Sequence, residues 1–242
     1  MIRFDNVSKI YPGDFVALEN VNLFIKKGEF VSIIGHSGSG KSTLLKLIYA
    51  EEQPTGGRVY FNDRPLDEIN KKLLPFYRRN IGTVFQDSKL LPKKTVYENV
   101  AYALEVSDSS EEEIKELVPQ ILDIVGMGDK MEKYPNQISG GEKQKVCIAR
   151  ALVCKPLVII ADEPTGNLDP TSTWEIVQLL LKINSMGTTV LLASHNKGIV
   201  DKLNRRVLEL EKGKLVRDNE KGKYEDNSKE KNITEEKKKQ VL

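Results

Sequence analysis

Residues 35–42 read Gly-His-Ser-Gly-Ser-Gly-Lys-Ser and match the phosphate-binding pattern Gly-x4-Gly-Lys-Ser. Glycines in such a loop let successive backbone N–H groups converge on phosphate oxygens, because no Cβ stands in the way. Lys41 supplies a positive charge for the β- and γ-phosphates, and the hydroxyl of Ser42 can bind Mg²⁺. The pattern therefore predicts a site for a nucleoside triphosphate.

The surroundings of this loop agree with that interpretation. A strand-like run at 29–34 precedes the loop, and residues 42–49 have the apolar spacing of a helix, whose positive end faces the phosphates. A dinucleotide-binding fingerprint starting at Gly38 requires a third glycine at position 43, where the chain has Thr43. A chance glycine turn is the remaining alternative, and the strand–loop–helix order argues against it.

A pair of acids, Asp162 and Glu163, follows the continuous apolar run 157–161. Such a run is typical of a parallel strand covered on both faces, and ligands bind at the carboxyl ends of these strands. We expect Asp162 to hold Mg²⁺, directly or through water. In a regular strand Glu163 points to the other side, where it can orient the attacking water or accept its proton. The alternative is an acidic cap before Pro164.

A second glycine-rich motif, Ile138-Ser139-Gly140-Gly141-Glu142, precedes a predicted helix over 141–153. The Ser139 hydroxyl and the amides of the two glycines would add anion donors to the positive end of that helix. A lone Ser-Gly-Gly is more often a simple turn. No single chain need bring this motif onto its own phosphate loop, so the sequence raises the question of whether two chains complete one site.

Hydrophobic periodicity predicts the elements that position these residues. The run Ser107-Asp108-Ser109-Ser110, followed by three glutamates at 111–113, predicts a break and a new helix start. The remaining predictions are strands within 1–34 and at 58–61, a helix at 67–79, a buried strand at 81–85 that ends at Gln86, helices over 95–125, an amphipathic helix at 171–185, a buried strand at 188–193 and a hairpin at 206–216.

Composition limits the class of protein. The chain of 242 residues has 37 basic and 35 acidic side chains, a net charge of +2, which gives no general case for nucleic-acid binding. No apolar run approaches the ~18–20 residues that span a bilayer, and the N-terminus lacks a signal-peptide pattern, so we expect a cytoplasmic protein. Cys147 and Cys154, seven residues apart on one predicted helix, are too distant for a disulfide.

These motifs, in this order, resemble the ATP-binding cassette (ABC) ATPases over nearly the whole chain. The resemblance implies that Tyr11 stacks on adenine and that Gln86 senses Mg²⁺ and the attacking water. Asn167-Leu168-Asp169 resembles the D-loop of that family. Ser194-His195-Asn196 resembles its switch-histidine segment, although Asn196 replaces the more usual aspartate. Each position alone has a structural explanation, and their joint order favours the functional one.

The resemblance implies an α/β fold, a P-loop NTPase core with a mixed sheet, an N-terminal antiparallel β subdomain and an inserted α-helical subdomain. We expect one ATPase domain over 1–217, with the helical subdomain at about 87–153, and a charged tail at 218–242 that is disordered or a frayed helix. ATP and Mg²⁺ are the implied cofactors. The catalytic side chains would be Glu163, His195, Gln86 and Lys41, the Mg²⁺ ligands Ser42, Gln86 and Asp162, and the nucleotide-binding residues Tyr11, Gly35, His36, Ser37, Gly38, Ser39, Gly40, Lys41, Ser42, Thr43, Gln86, Ser139, Gly140, Gly141, Glu142 and Asp169.

Local sequence at 49–54, 77–87 and 173–176, including the single tryptophan Trp174, narrows the resemblance to the bacterial cell-division branch of the family. This implies an ATP-driven homodimer and an integral membrane partner bound through the helical subdomain, with no direct contact to nucleic acid. It also implies a position on the inner face of the cell membrane and a mechanical output, the activation of cell-wall hydrolases. Two alternatives remain: the ATPase of a lipoprotein-releasing or macrolide-type exporter, and a soluble cassette without a membrane partner.

Overall fold

Two β-sheets and a group of helices are seen in the computed structural model, which describes residues 1–220 and 222. Short 3-10 turns occur at Leu66–Glu68, Lys71–Leu73, Gly128–Lys130 and Pro135–Gln137. The longer elements, in chain order, are β1 (Ile2–Tyr11), β2 (Phe15–Ile25), β3 (Phe30–Ile34), α1 (Lys41–Ile48), β4 (Gly56–Phe61), β5 (Arg64–Pro65), α2 (Leu74–Arg78), β6 (Ile81–Phe85), α3 (Val96–Glu105), α4 (Glu111–Ile124), α5 (Gly140–Leu152), β7 (Val158–Asp162), α6 (Pro170–Ser185), β8 (Thr189–Ala193), α7 (Lys197–Leu203), β9 (Arg206–Glu211) and β10 (Lys214–Asn219).

The central sheet has the strand order β10-β9-β3-β8-β7-β6. All of its neighbours pair in parallel except β9 and β10, which form an antiparallel hairpin. The second sheet, β2-β1-β4-β5, is entirely antiparallel. This arrangement confirms the predicted α/β fold with a mixed core sheet and an N-terminal antiparallel sheet.

Alternation along β7 shows how the two faces of the central sheet are covered. Val158 and Ile160 pack into a core shared with α1 and the antiparallel sheet. Ile159 and Ala161 pack into a second core, formed with the helices α3 to α7. All four side chains are almost completely buried, which explains why this strand is continuously apolar in sequence. The following residues therefore emerge at a fixed edge of the sheet.

Helix starts in the chain follow local capping chemistry. Thr95 and Glu98 form a reciprocal capping box at α3, and Ser110 and Glu113 form another at α4. The predicted break near 107–110 is thus confirmed as a helix boundary. The helices α3, α4 and α5 share one core cluster. The assignment of about 87–153 as an inserted subdomain remains a prediction.

Two segments differ from the sequence predictions. Residues 67–79 were expected to form one helix, but they form two short 3-10 turns and the short helix α2. Asn70 caps the second turn by accepting from the amide of Lys72, and Pro75 then restarts the chain as an α-helix. Strand β10 also continues two residues into the predicted tail, to Asn219, where it pairs with β9 and where Arg206 binds Asp218. The rest of that tail, residue 221 and residues 223–242, lies outside the described residues.

Candidate functional site

A cavity of about 580 Å³ opens at the carboxyl edge of the central sheet, a volume typical of small-ligand sites. The loop after β3, the end of β7 and the end of β8 all contribute to it, because these strands are parallel neighbours. Its lining residues are Phe15, Ala17, Gly35, His36, Ser37, Gly38, Ser39, Gly40, Lys41, Ser42, Thr43, Gln86, Asp162, Glu163 and His195. The structure therefore brings the phosphate loop together with the predicted catalytic acids and histidine.

The glycines of the loop are required by its backbone and its packing. Gly35 and Gly40 have φ values of 146° and 107°. A Cβ on Gly35 would lie 2.3 Å from the carbonyl oxygen of Leu210, and one on Gly40 would lie 2.6 Å from that of Ala17. The loop is thus pressed against neighbouring backbone, so its amides line the cavity without side chains between them. A side chain at Gly35 or Gly40 would therefore have to displace neighbouring backbone, which would destabilise the fold.

The buried Lys41 completes this loop from the first turn of α1. Its ammonium Nζ donates to the carbonyl oxygens of Gly35 and His36, at 2.7 and 3.1 Å. These bonds hold the positive charge over the loop within the cavity. A phosphate group arriving there would offer stronger, charge-assisted partners in place of two neutral carbonyls.

An orphaned polar atom supports a phosphate ligand. The hydroxyl of Ser39 is buried and has no hydrogen-bond partner within the described residues. The backbone of Ser39 is held by two hydrogen bonds. Its amide donates to the carbonyl oxygen of His36, and its carbonyl oxygen accepts from the amide of Gly213. A buried hydroxyl without a partner is costly, and a phosphate oxygen would satisfy it. The residues present therefore fit the triphosphate.

Asp162 and Ser42 supply oxygen donors suited to Mg²⁺. Both side chains line the cavity. Burial is the largest influence on the Asp162 carboxyl and raises its pKa, with the Ser42 hydroxyl acting in the opposite direction and the Glu163 charge adding to the rise. A divalent cation would relieve both the buried charge and the repulsion between the two acids. This donor pair leaves most of the coordination shell to phosphate oxygens and water, as Mg²⁺ prefers.

Glu163 departs from the strand geometry that the sequence suggested. Regular alternation places it opposite Asp162, but both residues line the same cavity. The reason is its left-handed backbone, with φ 51°, stabilised by a hydrogen bond from its amide to the carbonyl oxygen of Ala193. Non-glycine residues in this conformation are uncommon and cluster at functional sites. The turn swings the carboxylate back toward the phosphate loop.

His195 lies beside this carboxylate. Its Nδ1 is 2.9 Å from Oε2 of Glu163, whose side chain is largely buried. A proton on Nδ1 would donate to Glu163 and fix the orientation of the carboxylate, while Nε2 remains directed to other partners. The neighbouring Asn196 caps α7 by accepting from the amide of Ile199, so it serves the helix that follows β8. Asparagine performs this role as well as the more usual aspartate does.

Gln86 lies at the mouth of the cavity, directly after β6. Its side chain packs against the backbone of Gly166, where an added Cβ would lie 2.7 Å from Nε2. Gly166 in turn donates its amide to the carbonyl oxygen of Glu163. This glycine was not identified from sequence, because one glycine after a Pro-Thr pair carries no distinctive spacing. It connects the predicted water sensor to the predicted base.

Tyr11, the residue expected to stack on adenine, lies away from the cavity. Tyr11 does not line the cavity, and its ring lies 5.0 Å from Nζ of Lys9. The cavity instead includes Phe15, which is opposite Tyr11 in the β1–β2 hairpin and is 57% exposed. The exposed aromatic after the Gly13-Asp14 turn was the signal that sequence reasoning passed over. Whether Tyr11 contacts a nucleotide remains a prediction.

The serine–glycine motif opens α5 and lies outside the cavity lining. Ser139 is the N-cap, and its hydroxyl accepts from the amide of Glu142 at 3.3 Å. In return, Oε2 of Glu142 accepts a hydrogen bond from the amide of Ser139 at 2.9 Å. The other carboxylate oxygen, Oε1, is paired with the ammonium of Lys130. Glu142 is therefore committed to the helix cap. Gly141 is packed so closely on Ser172 of α6 that a Cβ would lie 2.8 Å from its hydroxyl.

One face of α5 holds the segment around Gln86. The side chains of Gln144, Cys147 and Arg150 are spaced three residues apart. Gln144 donates to the carbonyl oxygen of Phe85, Cys147 to that of Ser88, and Arg150 to those of Ser88 and Lys89. We call this set the α5 clamp. Cys147 and Cys154 are free thiols, as predicted, and burial raises the pKa of Cys147 to about 11.

Asp169, the predicted D-loop acid, is the N-cap of α6. Its carboxylate accepts from the amides of Thr171 and Ser172, both at 3.0 Å. The pKa of Asp169 is lowered, first by the Ser172 side chain and then by these backbone amides. Asp169 does not line the cavity. Its role at the nucleotide remains a prediction.

Known proteins resemble this chain over most of its length. Residues 18–166 match the family model of the ABC transporter. The chain is 50% identical over 224 residues to the cell division ATP-binding protein FtsE of Bacillus subtilis, covering 93% of this chain and 98% of that protein. It is 45% identical over 215 residues to the protein of the same name from Escherichia coli, covering 89% of this chain and 97% of that protein.

Solved structures give the same architecture. A dimeric post-hydrolysis state of the ATP-binding cassette MJ0796 bound to ADP and Pi matches with a TM-score of 0.82 and 38% identity, over 93% of this chain and all of that one. CbiO1 of Clostridium perfringens, part of the ABC transporter complex cbiONQ, matches with a TM-score of 0.85 and 31% identity, over 98% of this chain and 91% of that one. Within residues 1–220 and 222, no helix combines the length and hydropathy needed to cross a bilayer.

Proposed function

This chain belongs to the ABC transporter family and is an ATPase, and we propose that it drives a membrane complex that acts in bacterial cell division. Relatives named for cell division at 45–50% identity support this role over that of an exporter subunit. The observation that carries the two-chain part of the proposal is the separation of two half-sites. The catalytic side chains surround the phosphate loop, whereas the Ser139 helix start lies elsewhere on the same chain.

Six residues of the cavity have roles that follow from their positions. Lys41 exchanges its two carbonyl partners for phosphate oxygens and holds the triphosphate in the loop. Glu163 accepts the proton of the attacking water, and its contact with His195 keeps the carboxylate aimed at that water. Gln86 orients the same water from the mouth of the cavity. Asp162 and Ser42 would hold Mg²⁺, which when bound would neutralise phosphate charge.

A second copy of the chain completes the site in our proposal. Two chains pack head to tail, so that Ser139 and the amides of Gly140 and Gly141 face the nucleotide held by the partner's loop. The helix α5 then directs its positive end at that phosphate. Such a closed, two-fold arrangement contains two equivalent ATP sites. The dimeric state described for MJ0796 supports it. ATP closes the pair, and hydrolysis opens it.

We place the membrane partner at a groove of about 420 Å³ bounded by α2, β6, α3 and α5. We call it the partner groove. Its apolar wall includes Val106, which is 60% exposed. Its basic residues are Arg78, Arg79, Lys89 and Arg150. Of these, only Arg79 approaches a carboxylate within the described residues, that of Asp108 at 3.8 Å. The groove therefore suits an amphipathic segment with acidic side chains from an FtsX-like integral membrane protein, which would hold this chain at the inner face of the membrane.

The dimer is tested with Glu163→Gln, which keeps the shape of the side chain and removes the base. We expect this variant to bind ATP without turnover and to dimerise as ATP is added, measured by light scattering after size-exclusion chromatography. Lys41→Ala in the same background should abolish the effect, because the triphosphate loses its main cation. A Glu163→Gln protein that stays monomeric at saturating ATP would refute the dimer.

The partner groove is tested with Val106→Lys. The exposed position should tolerate the change, while the added cation repels or obstructs the partner segment. We expect weaker co-purification with the membrane protein and unchanged ATP-driven dimerisation. Val216→Lys on β10, at the opposite edge of the same sheet and 53% exposed, is the matched control. Recovery of a large lipoprotein-handling permease instead of a four-span FtsX-like protein would favour the exporter alternative, and recovery of no membrane protein would favour the soluble cassette.

A further inference from the structure

The charge on the Ser139 helix start is unusual for an anion-binding site. Glu142 stands at the third position of α5, with a carboxylate that reaches back to the amide of Ser139. That carboxylate therefore sits among the donors that, under the proposed function, face the phosphates of the partner's nucleotide. An unneutralised acid at this place would repel an incoming triphosphate.

Lys130 neutralises this acid. Its ammonium pairs with Oε1 of Glu142, while Oε2 takes the Ser139 amide. This hydrogen bond shifts the pKa values of both side chains. It raises the pKa of Lys130 and lowers the pKa of Glu142. Lys130 comes from the 3-10 turn that follows α4, twelve residues before Glu142 in sequence. A separate segment thus delivers one cation to the start of α5.

Other charged residues nearby do not replace Lys130. Lys133 is exposed and is not paired with a carboxylate within residues 1–220 and 222. Lys145, on the next turn of α5, is paired with Glu175 at 2.7 Å. Among residues 1–220 and 222, Lys130 is thus the cation that forms an ion pair with Glu142.

We propose that Lys130 is a positioning residue for ATP-driven closure: by neutralising and fixing the Glu142 carboxylate, it keeps the Ser139 helix start receptive to the nucleotide of a second copy. The inference rests on the proposed two-chain site and adds a residue from outside its recognised motifs. The role of Lys130 also explains how a glutamate at position 142 is compatible with phosphate binding at the same helix start. The ion pair presents the donors of the helix start with little net charge, and the carboxylate still completes the cap.

The charge can be removed without removing the cap, because glutamine at the third position also forms a capping box. We therefore compare Lys130→Gln, Glu142→Gln and the double variant, all in the Glu163→Gln background so that ATP is not consumed. The measured quantity is the ATP concentration at half-maximal dimerisation. Lys130→Gln should raise this concentration on the order of tenfold, because it exposes the carboxylate charge. Adding Glu142→Gln should restore it to within about threefold of the parent.

Three further measurements separate this effect from a loss of local structure. Lys130→Arg keeps the charge and should close like the parent, and the matched control Lys133→Gln should shift half-closure by less than about twofold. The difference between Lys130→Gln and its parent should also shrink as salt is raised from about 0.05 M to 0.5 M, which a misfolded cap would not show.

The outcomes are distinct. A parent protein that does not dimerise with ATP refutes the two-chain site itself. A parent that dimerises, with Lys130→Gln indistinguishable from Lys133→Gln, overturns the role of Lys130. Failure of Glu142→Gln to rescue Lys130→Gln also overturns it. If Lys130→Gln is too unstable to purify, Glu142→Gln alone decides, since removing the acid should close the pair at equal or lower ATP, and a requirement for more ATP refutes the inference.

Discussion

The contact between Gly166 and Gln86 allows activity to be separated from stability. Gly166 does not have a left-handed backbone, so alanine is accepted there without strain in φ. The new Cβ would lie 2.7 Å from Nε2 and 3.0 Å from Cδ of Gln86, well inside ordinary contact. Gln86 is exposed and its side chain can swing away, so Gly166→Ala should cost less than about 1 kcal/mol of unfolding free energy.

The catalytic consequence should be much larger. A displaced Gln86 no longer orients the attacking water, and misplacement of a catalytic group on the ångström scale costs on the order of 10–100-fold in rate. We expect kcat for ATP hydrolysis to fall by about that factor, while ATP-driven dimerisation in the Glu163→Gln background changes little. The assays are steady-state phosphate release and urea unfolding of the same preparations.

The matched control is Gly198→Ala on α7, where a Cβ would lie 3.4 Å from the side-chain oxygen of Asn196. Alanine within a helix is neutral or stabilising, so this variant should unfold at equal or higher urea. A Gly166→Ala protein that retains more than half of the parental kcat would refute the role assigned to Gln86. A loss of several kcal/mol of stability would instead show that Gln86 is fixed in place.

Three further changes probe the frame around the site. Gly82→Ala should lose about 2 kcal/mol in urea unfolding, because its Cβ would lie 2.5 Å from the backbone oxygen of Ala151, and a change under 0.5 kcal/mol would contradict this packing. Arg206→Ala should lose about 2–3 kcal/mol, since its nearly buried guanidinium binds Glu29 and the partly exposed Asp218; a Tm equal to that of the parent would argue against the network. The pKa of Asp169 is lowered in the folded state, so its ionised cap stabilises the fold above the ordinary carboxyl pKa. This contribution is lost as pH falls below about 4 and through the native pKa, so Asp169→Asn should flatten the acid limb of the pH–stability curve, measured by urea unfolding.

Much of this fold could be predicted because its strongest signals are local. The phosphate loop, the apolar strand before Asp162 and the capping box at Ser110 each depend on a few neighbouring residues. The predicted helix at 67–79 was wrong because periodicity does not register how Asn70 and Pro75 interrupt the backbone. Local sequence therefore predicts where elements start more reliably than whether they continue.

The site was harder to predict where it depends on tertiary contact. The direction of Glu163 follows from a left-handed residue that is held by β8, which no strand pattern contains. Phe15 enters the cavity because of hairpin register rather than sequence distance. Lys130 has no motif of its own, and its relation to Glu142 appears only when the turn after α4 meets the start of α5. Such pairings are set by packing between segments.

The α5 clamp has a consequence for how two copies would behave together. In the proposed pair, the first turn of α5 meets the nucleotide of the other chain, and its middle grips the backbone on both sides of its own Gln86. A movement of helix α5 would therefore be felt at both catalytic centres. It would also change the partner groove, which Arg150 lines. Turnover should then depend cooperatively on ATP, and a copy defective at its own loop should silence the intact copy bound to it.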